Sequence, residues 1–332
     1  MSGGRILLTG ATGGLGGAVL REAQARGLQV RATGRDAEAG ARLGTEFAAC
    51  DLAAPDADLA SLLQGCDRVI HAAALSASWG ERAAFERANV EATRRLLTAS
   101  RKAGVRRFVF ISSPSIFASF RDQIGIGEHH APAPRPLNHY AQTKLAAERL
   151  VLRASGEAMA CCAIRPRALV GEGDRVILPA LAALARRERM PLPRGGLALV
   201  ELTDLRDAAW AICEAQERAA TLSGRAINIS GGKPVAVRDV AGRLAAQLGH
   251  SPRLVALPAW LAKGMARVME GIGHMRSSAQ EPPLTRYTLA TLAYSQTFDP
   301  EPARRMLGFE PQYDALATLL AQAAKGAARG AA

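Results

Sequence analysis

A glycine-rich turn between an apolar strand pattern and a helix pattern constrains this chain more than any other stretch. The apolar run 6–8 is followed by glycines at positions 10, 13 and 16, and apolar residues then recur at helical spacing from Ala18 to Ala23. Such a turn lets the backbone approach a pyrophosphate, and the helix that follows offers unpaired N–H groups to the phosphates. We therefore predict a strand, a turn and a helix that bind a dinucleotide.

Strand and helix patterns continue to alternate after this turn. Strands are predicted at 28–33, 47–50, 68–74 and 107–113, with a first helix that ends at the capping glycine Gly27 and a second at 83–103. Another helix begins behind the cap Asn138. A helix at 204–219, a strand at 226–230 and an apolar helix at 254–272 follow. The alternation predicts an α/β fold with a doubly wound parallel sheet.

The composition limits the class of protein. The 332 residues, 48% of them apolar, suffice for a real core, and no unbroken apolar stretch approaches the ~18 residues of a membrane span. The chain enters its first strand directly and leaves no room for a signal peptide, so we expect a cytoplasmic protein without an integral membrane segment. Its five cysteines form no Cys-x-x-Cys pair, and we expect buried thiols rather than disulfides or a metal site.

The net charge of +12 does not indicate nucleic-acid binding. Nearly all the positive charge is arginine spread along the chain without a long basic block, and aromatic residues make up only 5%. A solvated surface, or attraction of an anionic cofactor or substrate, accounts for this charge.

The end of the second strand bears on cofactor choice. An acidic residue there suits the ribose of NAD, whereas an arginine suits the 2′-phosphate of NADP. Thr33 and Gly34 supply no carboxylate and Arg35 supplies a guanidinium, so NADP is favoured; the neighbouring Asp36 keeps NAD possible. Asp51, after the third strand, is either an adenine contact or a helix cap.

Two polar residues near the fourth strand have open roles. His71 is followed by three alanines that let a backbone pass close to a flat cofactor, and a histidine in this place either holds a loop or does chemistry. Asn89 lies among apolar positions of a helix and needs buried partners, so it either braces a neighbouring loop or joins a proton path.

The fifth strand ends in Ser112 and Ser113, and the helix behind Asn138 carries Tyr140 and Lys144. A spacing of four places Tyr140 and Lys144 on one helix face. A neighbouring ammonium favours the phenolate, so we expect Lys144 to lower the pKa of Tyr140 and make it a general acid and base.

In this order, the motifs resemble those of the extended short-chain dehydrogenases/reductases, the branch with NAD(P)-dependent epimerases, dihydroflavonol-type reductases and 3β-hydroxysteroid dehydrogenases. The matching segments are 9–16, 51–52, 71–74, 89–93, 112–113, 140–144 and 165–171. The stretches 228–232 and 282–287 resemble the bacterial 3β-hydroxysteroid-dehydrogenase-like and 2-alkyl-3-oxoacid-reductase-like members.

The resemblance implies a role for each matching residue. Tyr140 is the expected general acid or base, Lys144 holds the nicotinamide ribose, Ser113 binds the substrate oxygen, and Asn89 completes the catalytic set; no metal is needed. The expected cofactor contacts are Thr9, Gly10, Thr12, Gly13, Gly14, Leu15, Gly16, Arg35, Asp36, Asp51, Leu52, Ala72, Ala73, Ala74, Tyr140, Lys144, Pro166 and Val170. The expected substrate contacts are Ser76, Trp79, Ser115, His139, Arg167 and Trp260.

Departures from the family pattern narrow the chemistry. Pro114 and Ser115 stand where sugar dehydratases have Asp-Glu, and Phe117 and Ala118 predict a less polar pocket than a sugar needs. We expect an NADP-dependent oxidoreductase that interconverts a ketone and a secondary alcohol on an apolar small molecule, such as a β-keto acid, a steroid-like ketone or a polyketide. A nucleotide-sugar epimerase and a catalytically silent NADP-binding sensor or scaffold remain as alternatives.

The resemblance also implies how the chain is divided. Residues 1–171 and 201–230 are expected to form the Rossmann domain, and residues 172–200 and 231–332 a smaller, mostly helical substrate lobe. Pairing through two helices per subunit implies a homodimer. The apolar pattern at 254–272 suits lobe core, a lid over the substrate or a peripheral membrane contact.

Overall fold

The computed structural model describes residues 4–174, 176–275 and 280–330. Within them, a seven-stranded sheet has the order β12-β7-β5-β4-β1-β2-β3, and every neighbouring pair is parallel. Its strands are β1 (Arg5–Thr9), β2 (Val30–Gly34), β3 (Glu46–Ala49), β4 (Cys66–His71), β5 (Arg107–Ile111), β7 (Ala160–Pro166) and β12 (Ala226–Ile229). The strand order reverses between β1 and β4, so ligands are expected at the carboxyl ends of these two strands.

Helices cover both faces of the sheet. They are α1 (Gly14–Ala25), α2 (Ala37–Ala41), α3 (Leu59–Leu63), α4 (Arg82–Phe85), α5 (Ala92–Lys102), α6 (His139–Arg153), α8 (Leu205–Glu217) and α12 (Glu301–Leu307). On one face, Val19 of α1 and Ile212 of α8 are fully buried in a single core cluster. On the other, Leu96 of α5 and Val151 of α6 are fully buried in a second cluster. Each such side chain contributes about 1.5–3 kcal/mol by leaving water.

A second region lies beside the carboxyl edge of the sheet. A four-stranded sheet joins β13 (Val235–Ala236), β10 (Leu199–Val200), β15 (Gln296–Phe298) and β6 (Gln123–Ile126). Two small pairs are β8 (Leu169–Val170) with β11 (Thr203–Asp204), and β9 (Arg189–Pro193) with β14 (Arg253–Leu257). The helices here are α7 (Ile177–Ala185), α9 (Val237–Gln247), α10 (Ala259–Met275), α11 (Arg286–Ala293) and α13 (Ala315–Gly330).

Two predicted helices differ from what the structure shows. The single helix expected at 254–272 is wrong in its first turn, because residues 253–257 form strand β14, which pairs with β9, and Pro258 separates it from α10. The helix expected at 83–103 is present but contains a π-helical segment, Glu86–Glu91, between α4 and α5. A π-turn widens the helix locally and is frequent at functional sites.

All five cysteines are free, and four of them are buried, as the sequence predicts. In the parts of the chain that the structure describes, no helix has both the length and the apolar character to cross a membrane.

Candidate active site

A cleft of about 950 Å³ opens at the carboxyl ends of the central strands. Its walls come from the glycine turn after β1, the ends of β2 and β5, the alanines after β4 and the start of α6. Of the predicted cofactor contacts, all but Thr9, Asp36 and Val170 line this cleft. The parallel sheet therefore brings segments from distant parts of the chain together at the carboxyl ends of its strands, as expected for open α/β sheets.

The glycine turn allows a close backbone approach that side chains would block. Gly10 has a φ of +72°, and a Cβ there would lie 2.8 Å from the Ala73 backbone nitrogen. A Cβ on Gly16 would lie 2.1 Å from the Gly10 carbonyl oxygen, so α1 packs directly on the turn. No side chain caps the N-terminus of α1, and its first turn carries no acidic residue. This helix end therefore remains available to an anion.

The end of β2 places Arg35 and Asp36 differently. Arg35 is exposed and lines the cleft. Asp36 does not line it; its carboxylate accepts a hydrogen bond from the Ala39 backbone nitrogen at 2.9 Å and caps α2. Asp51 lines the cleft and accepts a bond from the Ala53 backbone nitrogen at 3.0 Å within a turn. It caps no helix, because α3 begins at Leu59 behind the cap Asp58.

His71 holds the floor of the cleft together. Its Nδ1 lies 2.7 Å from the Thr9 hydroxyl and its Nε2 lies 3.0 Å from the Thr93 hydroxyl. The Thr9 hydroxyl also accepts a hydrogen bond from the Ala73 backbone nitrogen at 3.1 Å. Burial, with the charge of Lys144 second, lowers the pKa of His71 to about 3. A neutral imidazole with both nitrogens engaged ties β1, β4 and α5 together.

Asn89 sits in the π-helical segment and braces the loop after β4. Its Oδ1 accepts a hydrogen bond from the Leu75 backbone nitrogen at 2.7 Å, and its Nδ2 donates to the Leu75 carbonyl at 3.2 Å. Nδ2 also donates to the Thr143 hydroxyl at 3.0 Å, one residue before Lys144. Asn89 does not line the cleft. These contacts make it a positioning residue that joins the cleft wall to α6.

Ser113 and Tyr140 meet in the cleft. Asn138 caps α6 as predicted, since its side chain accepts from the Ala141 backbone nitrogen at 2.9 Å, and this cap fixes the first turn that carries Tyr140. The Tyr140 phenol is hydrogen-bonded to the Ser113 side chain. Ser112 also lines the cleft, and its buried hydroxyl has no hydrogen-bond partner among the described residues. Two serine hydroxyls and one phenol thus converge where the fifth strand ends.

The expected lowering of the Tyr140 pKa by Lys144 is wrong for this structure. Burial raises the pKa of Tyr140 to about 12; the Ser113 hydrogen bond opposes this shift and the nearby Tyr287 adds to it. Lys144 donates to the Ile111 carbonyl and lies 4.1 Å from the Phe110 ring centroid. Burial lowers the pKa of Lys144 to about 7, only partly offset by Glu148. Desolvation outweighs the attraction assumed from the four-residue spacing.

The predicted substrate contacts fall in several places. Ser76 lines the cleft, whereas Trp79, Ser115, His139, Arg167 and Trp260 do not. Ser115 is buried in a short 3₁₀ turn, and His139 lies near the Phe85 ring. Trp260 is 75% exposed on the outer face of α10. Phe117, expected to make the pocket less polar, is instead buried in the core with Phe298, so this argument from Phe117 and Ala118 fails.

Several cleft residues were not identified from the sequence. Tyr287 of α11 lines the cleft, whereas its neighbour Arg286 pairs with Glu270 at 2.6 Å. Arg87, Ser78 and Thr33 also line the cleft. The sequence pattern around Arg87 and Tyr287 indicates that both residues are helical. It does not show that their side chains face the cleft.

Arg167 is buried near Tyr287. Burial lowers the pKa of Arg167, and Tyr287 and Glu201 oppose this shift. Its Nε has no hydrogen-bond partner within the described parts of the chain. Glu201 accepts from Ser230 and from the Phe298 backbone nitrogen. A buried guanidinium with an unused donor thus lies next to a cleft residue.

The cleft fits a nicotinamide dinucleotide. Its glycine turn leaves no room for side chains where a pyrophosphate would lie, and the uncapped N-terminus of α1 supplies donors for phosphates. At the far side, Tyr140, Lys144 and the unpartnered Ser112 hydroxyl supply donors for a ribose and a reacting group.

Comparisons with known proteins agree with this geometry. Residues 6–230 match the model of the NAD dependent epimerase/dehydratase family. The chain is 34% identical to a 2-alkyl-3-oxoalkanoate reductase of Stenotrophomonas maltophilia, over 93% of this chain and 95% of that protein. It is 30% identical to a 4-hydroxy-2-methyl-3-oxo-4-farnesyl-3,4-dihydroquinoline-1-oxide ketoreductase of Stigmatella aurantiaca, over 92% and 91%.

A solved structure, MoeE5 in complex with UDP-glucose and NAD, superposes with a TM-score of 0.77 at 26% identity and covers 99% of this chain and 100% of that one. The seven-stranded parallel sheet and its flanking helices confirm the predicted Rossmann-like fold. The chain therefore belongs to the NAD dependent epimerase/dehydratase family and is an oxidoreductase of the extended short-chain dehydrogenase/reductase type.

Proposed function

We propose that this protein is an NADP-dependent ketoreductase that acts on an apolar small molecule, with Tyr140 as the general acid. The observation that carries the proposal is the meeting of Ser113, Tyr140 and Lys144 in one cleft beside the glycine turn. When bound, the nicotinamide supplies the hydride that reaches the carbonyl carbon. Ser113 hydrogen-bonds the carbonyl oxygen, and Tyr140 donates its phenolic proton to that oxygen as the alcohol forms.

A pKa of about 12 keeps Tyr140 protonated at neutral pH, so the phenol can act as the proton donor of ketone reduction. In that direction the phenol must give a proton, whereas alcohol oxidation needs the phenolate. Tyr140→Phe removes this proton, and we expect it to abolish ketone reduction while NADPH still binds. Full retention of activity in this variant would contradict the proposal and favour a catalytically silent binder or scaffold.

The preference for NADP rests on Arg35. Its side chain lies on the cleft wall at the end of β2, while the Asp36 carboxylate is engaged as a helix cap. Because Asp36 does not line the cleft, its carboxylate is poorly placed to accept from the ribose hydroxyls of NAD. Titration with NADPH and NADH, followed by energy transfer from tryptophan to nicotinamide, tests the preference. Arg35→Ala is expected to weaken NADPH binding selectively, and Arg42→Ala, an exposed arginine paired with Glu38, is the matched control.

Small and apolar residues are frequent in the lining of the cleft, among them Leu75, Ala77, Pro166 and Ala168. They support an apolar substrate. Among the substrates considered, we favour a β-keto acid because Arg167 offers a buried positive charge near Tyr287 and because a relative is named for reducing 2-alkyl-3-oxoalkanoates. Arg167→Gln is then expected to raise KM for a β-keto acid but not for its ester. Equal effects on acid and ester would exclude this role for Arg167.

A nucleotide-sugar epimerase remains a second candidate because MoeE5 binds UDP-glucose and NAD on the same fold. The two reactions differ in their products. A ketoreductase oxidises one NADPH for each alcohol formed, whereas an epimerase returns its cofactor to the starting state. Absence of net NADPH consumption with any ketone, together with epimerisation of a UDP-sugar, would overturn the ketoreductase proposal.

We also propose that the chain is divided into a Rossmann domain and a substrate lobe. We further propose that the protein is cytoplasmic and forms a homodimer. The free thiols of five cysteines suit a reducing compartment. Light scattering on the purified protein measures the oligomeric state directly.

A further inference from the structure

Exposed apolar side chains are concentrated on one stretch of this protein. Of the 13 large hydrophobic residues exposed in the described chain, eight lie between positions 254 and 275. Two of these are on β14. The other six are on α10: Trp260, Leu261, Met265, Val268, Ile272 and Met275. Large apolar patches on a folded surface mark an interaction site more often than chance.

The six residues form a continuous face of α10. From Leu261 onward they are spaced by four, three, four and three residues, which places them on one side of a helix. The opposite side carries small buried residues, Ala262 and Ala266, which pack in one cluster with Leu289 and Ala293. The helix therefore turns its small residues inward and its bulky residues outward, the reverse of an ordinary surface helix.

The charged residues of β14 and α10 are mostly basic. Residues 251–275 contain one acidic side chain, Glu270, which is buried and paired with Arg286. Arg267 is exposed in the middle of α10. On the strand pair before the helix, Arg253 of β14 pairs in register with Arg189 of β9, and both are exposed. An apolar face with a cationic rim is complementary to a bilayer that carries anionic headgroups.

We propose that α10 docks this protein on the surface of an anionic lipid bilayer. In this arrangement the helix lies in the plane of the interface, with its apolar face in the headgroup and acyl boundary and Trp260 at headgroup level. A second copy of the chain fits this face less well. A twofold contact would bring the arginines of both rims together, and like charges across an interface are unfavourable.

The docked helix lies next to the cleft. A Cβ on Gly273 would approach the Trp79 ring to 2.9 Å, and the rings of Trp79 and His274 lie 4.5 Å apart. Trp79 directly follows Ser78, which lines the cleft. Docking therefore places the mouth of the cleft close to the bilayer, from which an apolar molecule can enter. Bilayer binding itself does not depend on the proposed reaction, so each can fail without the other.

Co-sedimentation of the full-length protein with vesicles tests the proposal. The vesicles consist of phosphatidylcholine alone or of phosphatidylcholine with one quarter phosphatidylglycerol. We expect binding to the anionic vesicles, weaker binding at high salt and little binding to phosphatidylcholine alone. Val268→Glu and Ile272→Glu are each expected to lower the partition coefficient about tenfold. Ile124→Glu is the matched control, since Ile124 is 63% exposed and Val268 is 62% exposed.

Further readouts separate docking from misfolding and from dimer formation. Thermal melting by circular dichroism confirms that each variant is folded. Tryptophan emission is expected to shift to the blue on anionic vesicles, and Trp260→Phe should lose this shift. Binding that survives Val268→Glu and Ile272→Glu, or that is lost equally in Ile124→Glu, would overturn the proposal. So would absence of vesicle binding together with a dimer that these two variants convert to monomer.

Discussion

Raising the pH should weaken NADPH binding through a single group, Lys144. Its ammonium lies in the cleft, and burial lowers its pKa to about 7. At pH 7 about half of the protein therefore carries the charge, and at about pH 8.5 only about 3% does. A bound ribose and phosphate favour the charged form, so the complex retains the proton to higher pH.

The expected change in the Kd for NADPH follows from the difference in Lys144 protonation between the free protein and the complex. If the complex keeps Lys144 charged up to about pH 9.5, the Kd for NADPH should rise about fifteenfold between pH 7 and about pH 8.5. The second ionisation of the 2′-phosphate, near a pKa of about 6, is almost complete over this range and contributes little. Near pH 8, the protein should take up about 0.9 proton for each NADPH bound.

Isothermal titration calorimetry in two buffers of different ionisation enthalpy measures both the Kd and the proton uptake. Lys144→Gln is the control, because it keeps a polar side chain that does not titrate in this range. Its affinity should be lower at pH 7 and nearly independent of pH. A wild-type Kd that changes less than threefold, without proton uptake, would refute the reasoning from the buried ammonium.

Three other changes test the walls of the cleft. Gly16→Ala should abolish NADPH binding and lower Tm because its Cβ would lie 2.1 Å from the Gly10 carbonyl oxygen, whereas Gly17→Ala, with 3.6 Å to the Arg21 Nη1 atom, should bind normally. His71 is buried in its neutral form with a pKa of about 3. The unfolding free energy of the wild type, measured in urea melts, should therefore fall by about 2 kcal/mol from pH 7 to pH 5. Stability falls with falling pH because the unfolded chain binds a proton at His71 and the folded chain does not. His71→Asn should lack this pH-dependent loss of unfolding free energy. An equal loss in the wild type and the variant would disprove the role of His71. Asn89→Ala should lower the unfolding free energy by roughly 1–3 kcal/mol, since the partly buried Leu75 nitrogen loses its acceptor, and a change under about 0.5 kcal/mol would contradict the bracing role.

The cofactor half of the cleft was predictable because its signals are local in sequence. The turn at Gly10, the capped start of α6 and the four-residue spacing of Tyr140 and Lys144 each lie within one short segment. The parallel sheet then brings these segments to one edge, and this step follows from general rules for α/β folds.

The region between the cleft and α10 was not predictable in the same way. Its contacts join residues about two hundred positions apart, as between Ser78 and Glu281 or between Trp79 and His274. A single sequence shows that such residues exist but not which of them meet. The break at Pro258 was missed because the apolar residues of β14 continue the pattern of α10 without a change in composition.

The pKa of Tyr140 was predicted in the wrong direction for an instructive reason. The spacing to Lys144 correctly indicates that the two side chains share a helix face. It does not show that both side chains are buried, and burial disfavours the phenolate and the ammonium alike. A helix-face argument therefore predicts which groups are neighbours, while the sign of a pKa shift depends on depth below the surface.

The raised pKa of Tyr140 and the lowered pKa of Lys144 together set the protonation state of the free site. With Lys144 only half charged and Tyr140 fully protonated at pH 7, the pair holds a proton to donate but has little means to stabilise a phenolate. Loss of the Tyr140 proton becomes easier once Lys144 is charged, because opposite charges on one helix face attract across a low dielectric. In the proposed reaction, we therefore expect proton uptake by Lys144 on cofactor binding to favour proton donation by Tyr140.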